Sequence, residues 1–388
     1  MQENLQKGLQ LLQKEQEEME QLLRQLVKIE SPSAAKEGVD QVSNCIKEFC
    51  DRCGFHTTSF FFPKAGATLI VDSATEAQDP SPVLLLAHMD TVHAIGSFGT
   101  EILTEDESFF YGPGVFDCKG GIVIALYVMK TLAGTGYNRH PVRLILSGDE
   151  ETGHVLSEEQ GIQKILEYAK GGIAAFNCES GMMDGRIAVA RKGIFNVSYL
   201  IYGVAAHSGN APEQGRNAIL EAAHKVIAVE QLTDFQGTTY NCGVIHGGKT
   251  SSTVPDECRV DICVRFREKK AADTAMKKLQ EIAEQTYIEG TVTEMIVTAA
   301  PHGPMEDTEE NRKLFEMYRQ AVEETGGMPV TPYMAGGASD SFYTTEARVP
   351  TICGVGIRGS DNHSPKERAL KESLAERTQA LLATIWTL

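Results

Sequence analysis

The sequence contains no apolar stretch of the ~18–20 residues that a membrane-crossing helix needs, so no span is expected. Its first ten residues, MQENLQKGLQ, lack the apolar centre of a signal peptide. Basic residues are outnumbered, 36 Lys+Arg against 53 Asp+Glu, and the formal charge of −17 argues against nucleic acid or an anionic membrane as the main partner. No Gly-x-Ser-x-Gly elbow occurs, so a serine mechanism of the α/β-hydrolase kind lacks its signature. The nine cysteines are odd in number and scattered, at 45, 50, 53, 118, 178, 242, 258, 263 and 353, mostly in apolar surroundings. That pattern reads as a reduced, cytoplasmic protein without a disulfide framework. What remains is ordinary globular composition, and at roughly 150 residues per domain the chain suggests two or three domains.

Two motifs look chemical and lack the context for it. Gly243 to Thr250 matches the P-loop string, yet a P-loop must open a helix, and here Ser251–Pro255 and a strand-like run follow. Cys45, Cys50 and Cys53 have an iron–sulfur spacing, but Val42, Ile46, Phe49 and Cys53 share one helical face and Gly54 suits a C-cap. Core cysteines are the expectation.

Along the chain, residues 4–29 show helical spacing that ends at Ser31-Pro32-Ser33, and a surface helix packed on its own domain is favoured over a coiled-coil partner. Strand-like runs follow at Ala67–Val71, Val83–Ala87, Val142–Leu146, Ile173–Phe176 and Thr351–Val355, with helical stretches such as Ile122–Leu132 and Ile162–Lys170 between them. The alternation predicts an α/β domain with a mixed, largely parallel sheet. From about Gly193 a β-α-β-β-α-β order appears, which predicts an inserted, ferredoxin-like α+β domain. The expected boundaries are 1–192 and 301–388 for the first domain and 193–300 for the insert.

Five segments read as strand-like lead into acidic or His residues. They end at His88 and Asp90, Asp117, Glu150 and Glu151, Glu179, and His363. Loops at the C-terminal ends of parallel strands are where ligands bind. Two His and three carboxylates supply the N and O donors favoured by Zn²⁺, Co²⁺ or Mn²⁺, which suits a two-metal hydrolytic site. His88 and Asp90 are two apart in an extended segment, so Asp90 is expected to accept the free ring N–H of His88. Of the adjacent Glu150 and Glu151, one can bind metal while the other serves as general base.

These motifs, HMDTV at 88–92, GPGVFDCKGG at 112–121, GDEETG at 148–153, ES at 179–180, AHSG at 206–209, GGASD at 336–340 and NHS at 362–364, resemble in order those of the M20 family of metallopeptidases, in its glutamate carboxypeptidase type. The resemblance covers essentially the whole chain. It implies that His88 and Glu179 bind one zinc, that Glu151 and His363 bind another, and that Asp117 bridges the two. It implies Glu150 as general acid/base, with Asp90 assisting. The inserted domain becomes a lid and dimerisation domain, whose His207 reaches across a homodimer to stabilise an oxyanion. Asn241, Arg265 and Gly337 become substrate-binding residues. Cys118 departs from the family pattern after the bridging Asp. The implied reaction is cleavage of the amide to a C-terminal amino acid of a small peptide or N-acyl amino acid. Dipeptidase and N-acyl-amino-acid deacylase chemistry fit the same motifs, as does a homologue that kept the fold and lost catalysis.

Overall fold

The computed structural model describes residues 2–73 and 77–388. Its contacts divide the chain into two compact units, one of Met1–Ala190, Asp307–Met334 and Ser339–Leu388, the other of Arg191–Glu306 and Ala335–Ala338.

An eight-stranded sheet organises the first unit. Its strands run in the order His56–Phe60, Thr68–Asp72, Val142–Ser147, Val83–His88, Ala174–Asn177, Thr351–Cys353, Arg186–Arg191 and Thr331–Ala335. The four strands from Val142–Ser147 to Thr351–Cys353 are parallel to one another; Thr68–Asp72 and Arg186–Arg191 join them antiparallel. The sheet is therefore mixed, with a parallel centre, and less parallel than the alternation predicts. Outer strands such as His56–Phe60 and Thr331–Ala335 are only partly buried and carry no continuous apolar run, which hid them in the sequence.

Every residue of Val83–His88 is buried, because both faces of this central strand are covered. Val83, Leu85 and Ala87 join the large core under the helices Gly120–Gly134 and Lys371–Thr387, while Leu84 and Leu86 join the smaller core under Gln160–Ala169. A strand buried on two faces reads as a continuous apolar run, which is how it appears in the sequence.

The N-terminal helical stretch is two helices, Gln2–Lys14 and Gln16–Val27, separated at Glu15. Leu12, Met19, Leu23, Leu26 and Val27 are fully buried in the large core, so this face is occupied by its own unit. The Cys45–Cys53 segment lies in the helix Lys36–Cys53, closed by Gly54 at φ 72°. A left-handed C-cap needs a residue without a Cβ penalty, and glycine provides it.

The second unit is a four-stranded antiparallel sheet ordered Thr239–Gly247, Glu257–Phe266, Gly193–Tyr202, Val292–His302. Helices Ala218–Glu230 and Lys269–Glu284 complete the β-α-β-β-α-β order. In Glu257–Phe266 alternate residues Cys258, Val260, Ile262, Val264 and Phe266 are buried, which directs Arg265 and Cys263 to the opposite face. The P-loop-like string ends the strand Thr239–Gly247 and opens no helix; the next element is the strand Thr253–Val254.

Candidate metal centre

The parallel strands bring their C-terminal ends to one edge. His88 lies opposite Ser147 in register, and Asn177 lies opposite both Leu86 and Cys353. His88 ends its strand, Glu150 and Glu151 follow Ser147 in a single 3₁₀ turn, and Glu179 lies two residues beyond Asn177. His363 arrives on the turn after Arg358–Ser360. Asp117 lies on no strand, contrary to the strand-like reading of its segment. It sits at φ −118°, ψ 89° in an irregular turn that feeds the buried helix Gly120–Gly134. Gly114 opens that turn at φ 73°, where a Cβ would lie 2.6 Å from the Thr91 Cγ2.

Two overlapping trios result. Donor atoms of His88, Asp117 and Glu179 lie within 4.8 Å of one another, and so do those of Asp117, Glu151 and His363. Asp117 is common to both. Its Oδ1 is 3.2 Å from His88 Nε2, and its Oδ2 is 3.4 Å from His363 Nε2. Glu151 Oε2 is 3.3 Å from His363 Nε2, whereas Glu151 Oε1 is buried without a hydrogen-bond partner. Leaving a buried carboxylate oxygen unmade costs on the order of 1–3 kcal/mol. Two imidazoles and three carboxylates, one with such an oxygen, fit divalent ions of the zinc type in donor chemistry.

Electrostatics follow the same geometry. Burial raises the Asp117 carboxyl, but hydrogen bonds from His363, His88 and Asn362 outweigh it and hold the group well below the usual range. Bonds to Asp117 and Glu151 push His363 up to about 10. Burial, then the charge of Glu179, holds Glu150 well above the usual carboxylate range.

Asp90 lies within reach of the His88 ring, as expected, and has further partners. His88 Nδ1 is 3.0 Å from the Asp90 backbone carbonyl and 3.4 Å from the Asp90 carboxylate. The same carboxylate accepts the Ser33 hydroxyl at 2.6 Å and the backbone N–H groups of Glu150 at 3.2 Å and Glu151 at 3.1 Å. It fixes the turn that presents both glutamates. Ser33 reaches it because Pro32 bridges Thr91 alongside the strand end, so the segment that reads as a helix terminator is also part of the site.

Cys118 is a buried thiol pushed up to about 12 by burial. Its Sγ accepts the His88 N–H at 3.2 Å and lies 3.6 Å from the His88 carbonyl, so it is neutral and steadies the His88 backbone. Sequence reasoning also missed Asn362, whose Nδ2 donates to Asp117 Oδ2 at 2.9 Å, and Glu367, which accepts the Asp117 N–H at 2.9 Å. Asn362 precedes a proposed ligand, which was the only available signal. Glu367 bonds backbone groups, which leave no mark in a sequence.

His207, Asn241, Arg265 and Gly337 belong to the second unit. His207 Nδ1 accepts N–H bonds from Gly209 at 3.1 Å and Asn210 at 3.2 Å, which leaves the proton of a neutral ring on Nε2. Arg265 pairs with Thr239 in register and Asn241 with Cys263, so Arg265 and Asn241 are diagonal neighbours on one sheet face. Arg265 donates to the Gly336 carbonyl at 3.0 Å, beside Gly337.

Known proteins are similar to this chain in sequence and fold. Over 370 residues the chain is 27% identical to carboxypeptidase G2 of Pseudomonas sp. (strain RS-16), covering 94% of this chain and 87% of that one. It is 27% identical over 290 residues to a succinyl-diaminopimelate desuccinylase of Ruegeria pomeroyi, covering 71% and 73%. The fold matches the aminopeptidase PepT of Bacillus cereus with a TM-score of 0.80 at 20% identity, over 96% of this chain and 98% of that one. The model of the peptidase family M20/M25/M40 matches residues 84–387, a span that holds all five clustered donors, and the chain belongs to that family.

Proposed function

We propose that this chain is a two-metal hydrolase that cleaves the amide joining an acyl or peptidyl group to a C-terminal amino acid. The observation that carries the reading is the pair of donor trios sharing Asp117, with Glu150 on the same turn as Glu151 but outside both trios. The similarity to carboxypeptidase G2 supports the carboxypeptidase direction. His88 and Glu179 would hold one zinc and Glu151 and His363 the other, with Asp117 shared between the two trios. When bound, such ions activate water for attack and polarise the amide carbonyl.

The chain's own residues supply the rest. Glu150 takes a proton from the attacking water and delivers it to the amine nitrogen as the C–N bond breaks, leaving a carboxylic acid and an amine. These become carboxylate and ammonium as the acid's proton passes to the amine. His207 donates its Nε2–H to the oxygen on which charge develops. Arg265, with Asn241 beside it, holds the substrate's free carboxylate, a task suited to a planar guanidinium. The test is a panel of N-acyl amino acids and dipeptides, each as free acid and as C-terminal amide, scored by released amine. Chelation is expected to abolish activity and zinc to restore it, with free acids preferred. Arg265→Ala should raise KM for the acids by roughly 10- to 100-fold, the loss of a charge-assisted hydrogen bond, and barely change the amides. Activity that survives complete metal removal defeats the proposal. Equal losses on acids and amides make Arg265 structural.

The second unit contributes no proposed metal ligand, and we assign it the role of a homodimerisation domain whose His207 acts in trans. A His207→Ala chain mixed with a Glu150→Gln chain, each inactive alone, should regain activity after subunit exchange. One site of the heterodimer is then intact, so recovery is at most about half of wild type per dimer. No recovery after verified exchange means that His207 acts in cis or not at all.

A further inference from the structure

Glu367 is a fully buried carboxylate that the proposed chemistry does not use. Four donors converge on it. Oε1 accepts the backbone N–H groups of Phe116 and Asp117, each at 2.9 Å. Oε2 accepts the Gly114 N–H at 3.2 Å and faces His93 Nε2 at 2.5 Å. The Glu367 backbone carbonyl also accepts the Gly112 N–H at 3.3 Å. One residue therefore holds the glycine-rich turn from Gly112 to Asp117, the segment that carries the shared carboxylate.

Its place in the chain gives this a second consequence. Glu367 lies four residues after His363, and its own N–H returns to the Ser364 carbonyl at 3.1 Å, closing the intervening turn. His363 sits beside the Asp117 side chain while Glu367 grips the Asp117 backbone. His93 ties the same carboxylate to the loop beyond His88 and Asp90, and its buried ring packs edge-on against Phe98 at 4.9 Å. Three segments that deliver donors, at 88–93, 112–117 and 363–367, thus meet at one carboxylate. A carboxylate suits the task because it accepts through two oxygens with about four lone-pair sites and donates nothing that would compete.

We infer that Glu367, steered by His93, is the positioning residue that sets the shared carboxylate of Asp117 for both metal sites. The inference rests on the two-metal reading above. It makes a claim that a merely structural role does not: because Asp117 serves both trios, loosening its backbone weakens both ions together. Substitutions behind metal ligands typically cost about 10- to 100-fold in affinity.

The experiment measures zinc binding by chelator competition on purified full-length chain, with folding checked by circular dichroism and no reference to turnover. Glu367→Gln, nearly the same size but with one acceptor oxygen, should weaken both binding steps by about 10- to 100-fold. His93→Gln, on a different segment, should weaken both steps by a smaller factor, and it decides the matter if Glu367→Gln does not fold. Wild-type affinity in the folded variants, or weakening of one step alone, overturns the positioning role while the two-metal reading stands. A wild-type chain that takes up no zinc overturns that reading and this one with it.

Discussion

Glu150→Gln should retain wild-type zinc content and lose turnover by about 10²- to 10⁴-fold, the usual contribution of a positioned general base. The two amides of the Glu150–Glu151 turn are both held by the Asp90 carboxylate, so neither side chain can drift into the other's place. Glu151 joins the trio with Asp117 and His363; Glu150 joins neither trio. The glutamine side chain nearly matches glutamate in size, and the Asp90 bonds go to backbone N–H groups that it retains. What disappears is the ability to take and return a proton. Glu151→Gln should fail differently, losing one of its two metals and with it both turnover and zinc content. Metal analysis and kcat measured together on the same preparations distinguish these outcomes. Near-wild-type turnover in Glu150→Gln, or equal zinc loss in both variants, would show that the roles are assigned wrongly.

His88, Glu151 and Glu179 were legible because each ends or closely follows an apolar strand, whereas Asp117 lies in an irregular turn and His363 follows a three-residue strand. A strand buried on both faces must be continuously apolar, so Val83–Ala87 and Val142–Leu146 announce themselves and the polar residues beyond them stand out. The insert was legible for a similar reason: Glu257–Phe266 alternates strictly because only one face is covered. Short strands such as Arg358–Ser360 and Arg368–Leu370 carry three residues each and no period that could reveal them. The break at Glu15 was hidden because apolar spacing continues across it. The residues that hold the donors in place were the least legible. Asp90 and Glu367 act on backbone N–H groups, and no side-chain pattern records which amides a carboxylate will meet. His154 and Asp340 belong to the same class, since their partnership spans 186 positions.

That partnership leads to the largest expected effect on stability. The ring of His154 is buried between two buried carboxylates, with Nδ1 3.1 Å from Asp149 Oδ1 and Nε2 2.7 Å from Asp340 Oδ1. Asp149 also accepts the Ser157 N–H at 2.8 Å, and Asp340 accepts the Ser147 hydroxyl at 2.5 Å. Burial lowers the affinity of His154 for its proton, but the Asp340 charge and the bonds to Asp149 and Asp340 win, so its pKa stands well above the ordinary value. His154→Leu keeps apolar bulk and leaves two carboxylates buried without their counter-charge. Breaking a buried pair in this way costs about 3–5 kcal/mol. In a unit of this size that lowers the unfolding midpoint by on the order of 10 °C. The sign with pH follows from the raised pKa. The stabilisation is fully present below the unfolded-state value of about 6.5 and is lost as pH rises through the higher folded-state value. Thermal unfolding of metal-free wild type and variant should therefore show the widest gap near neutrality and a narrowing gap in alkali. A gap of a degree or two at pH 6.5, or one that widens toward pH 10, would mean that the imidazole is not the counter-charge described. Because Asp149 directly precedes Glu150, the same variant should also lower kcat at temperatures where it remains folded.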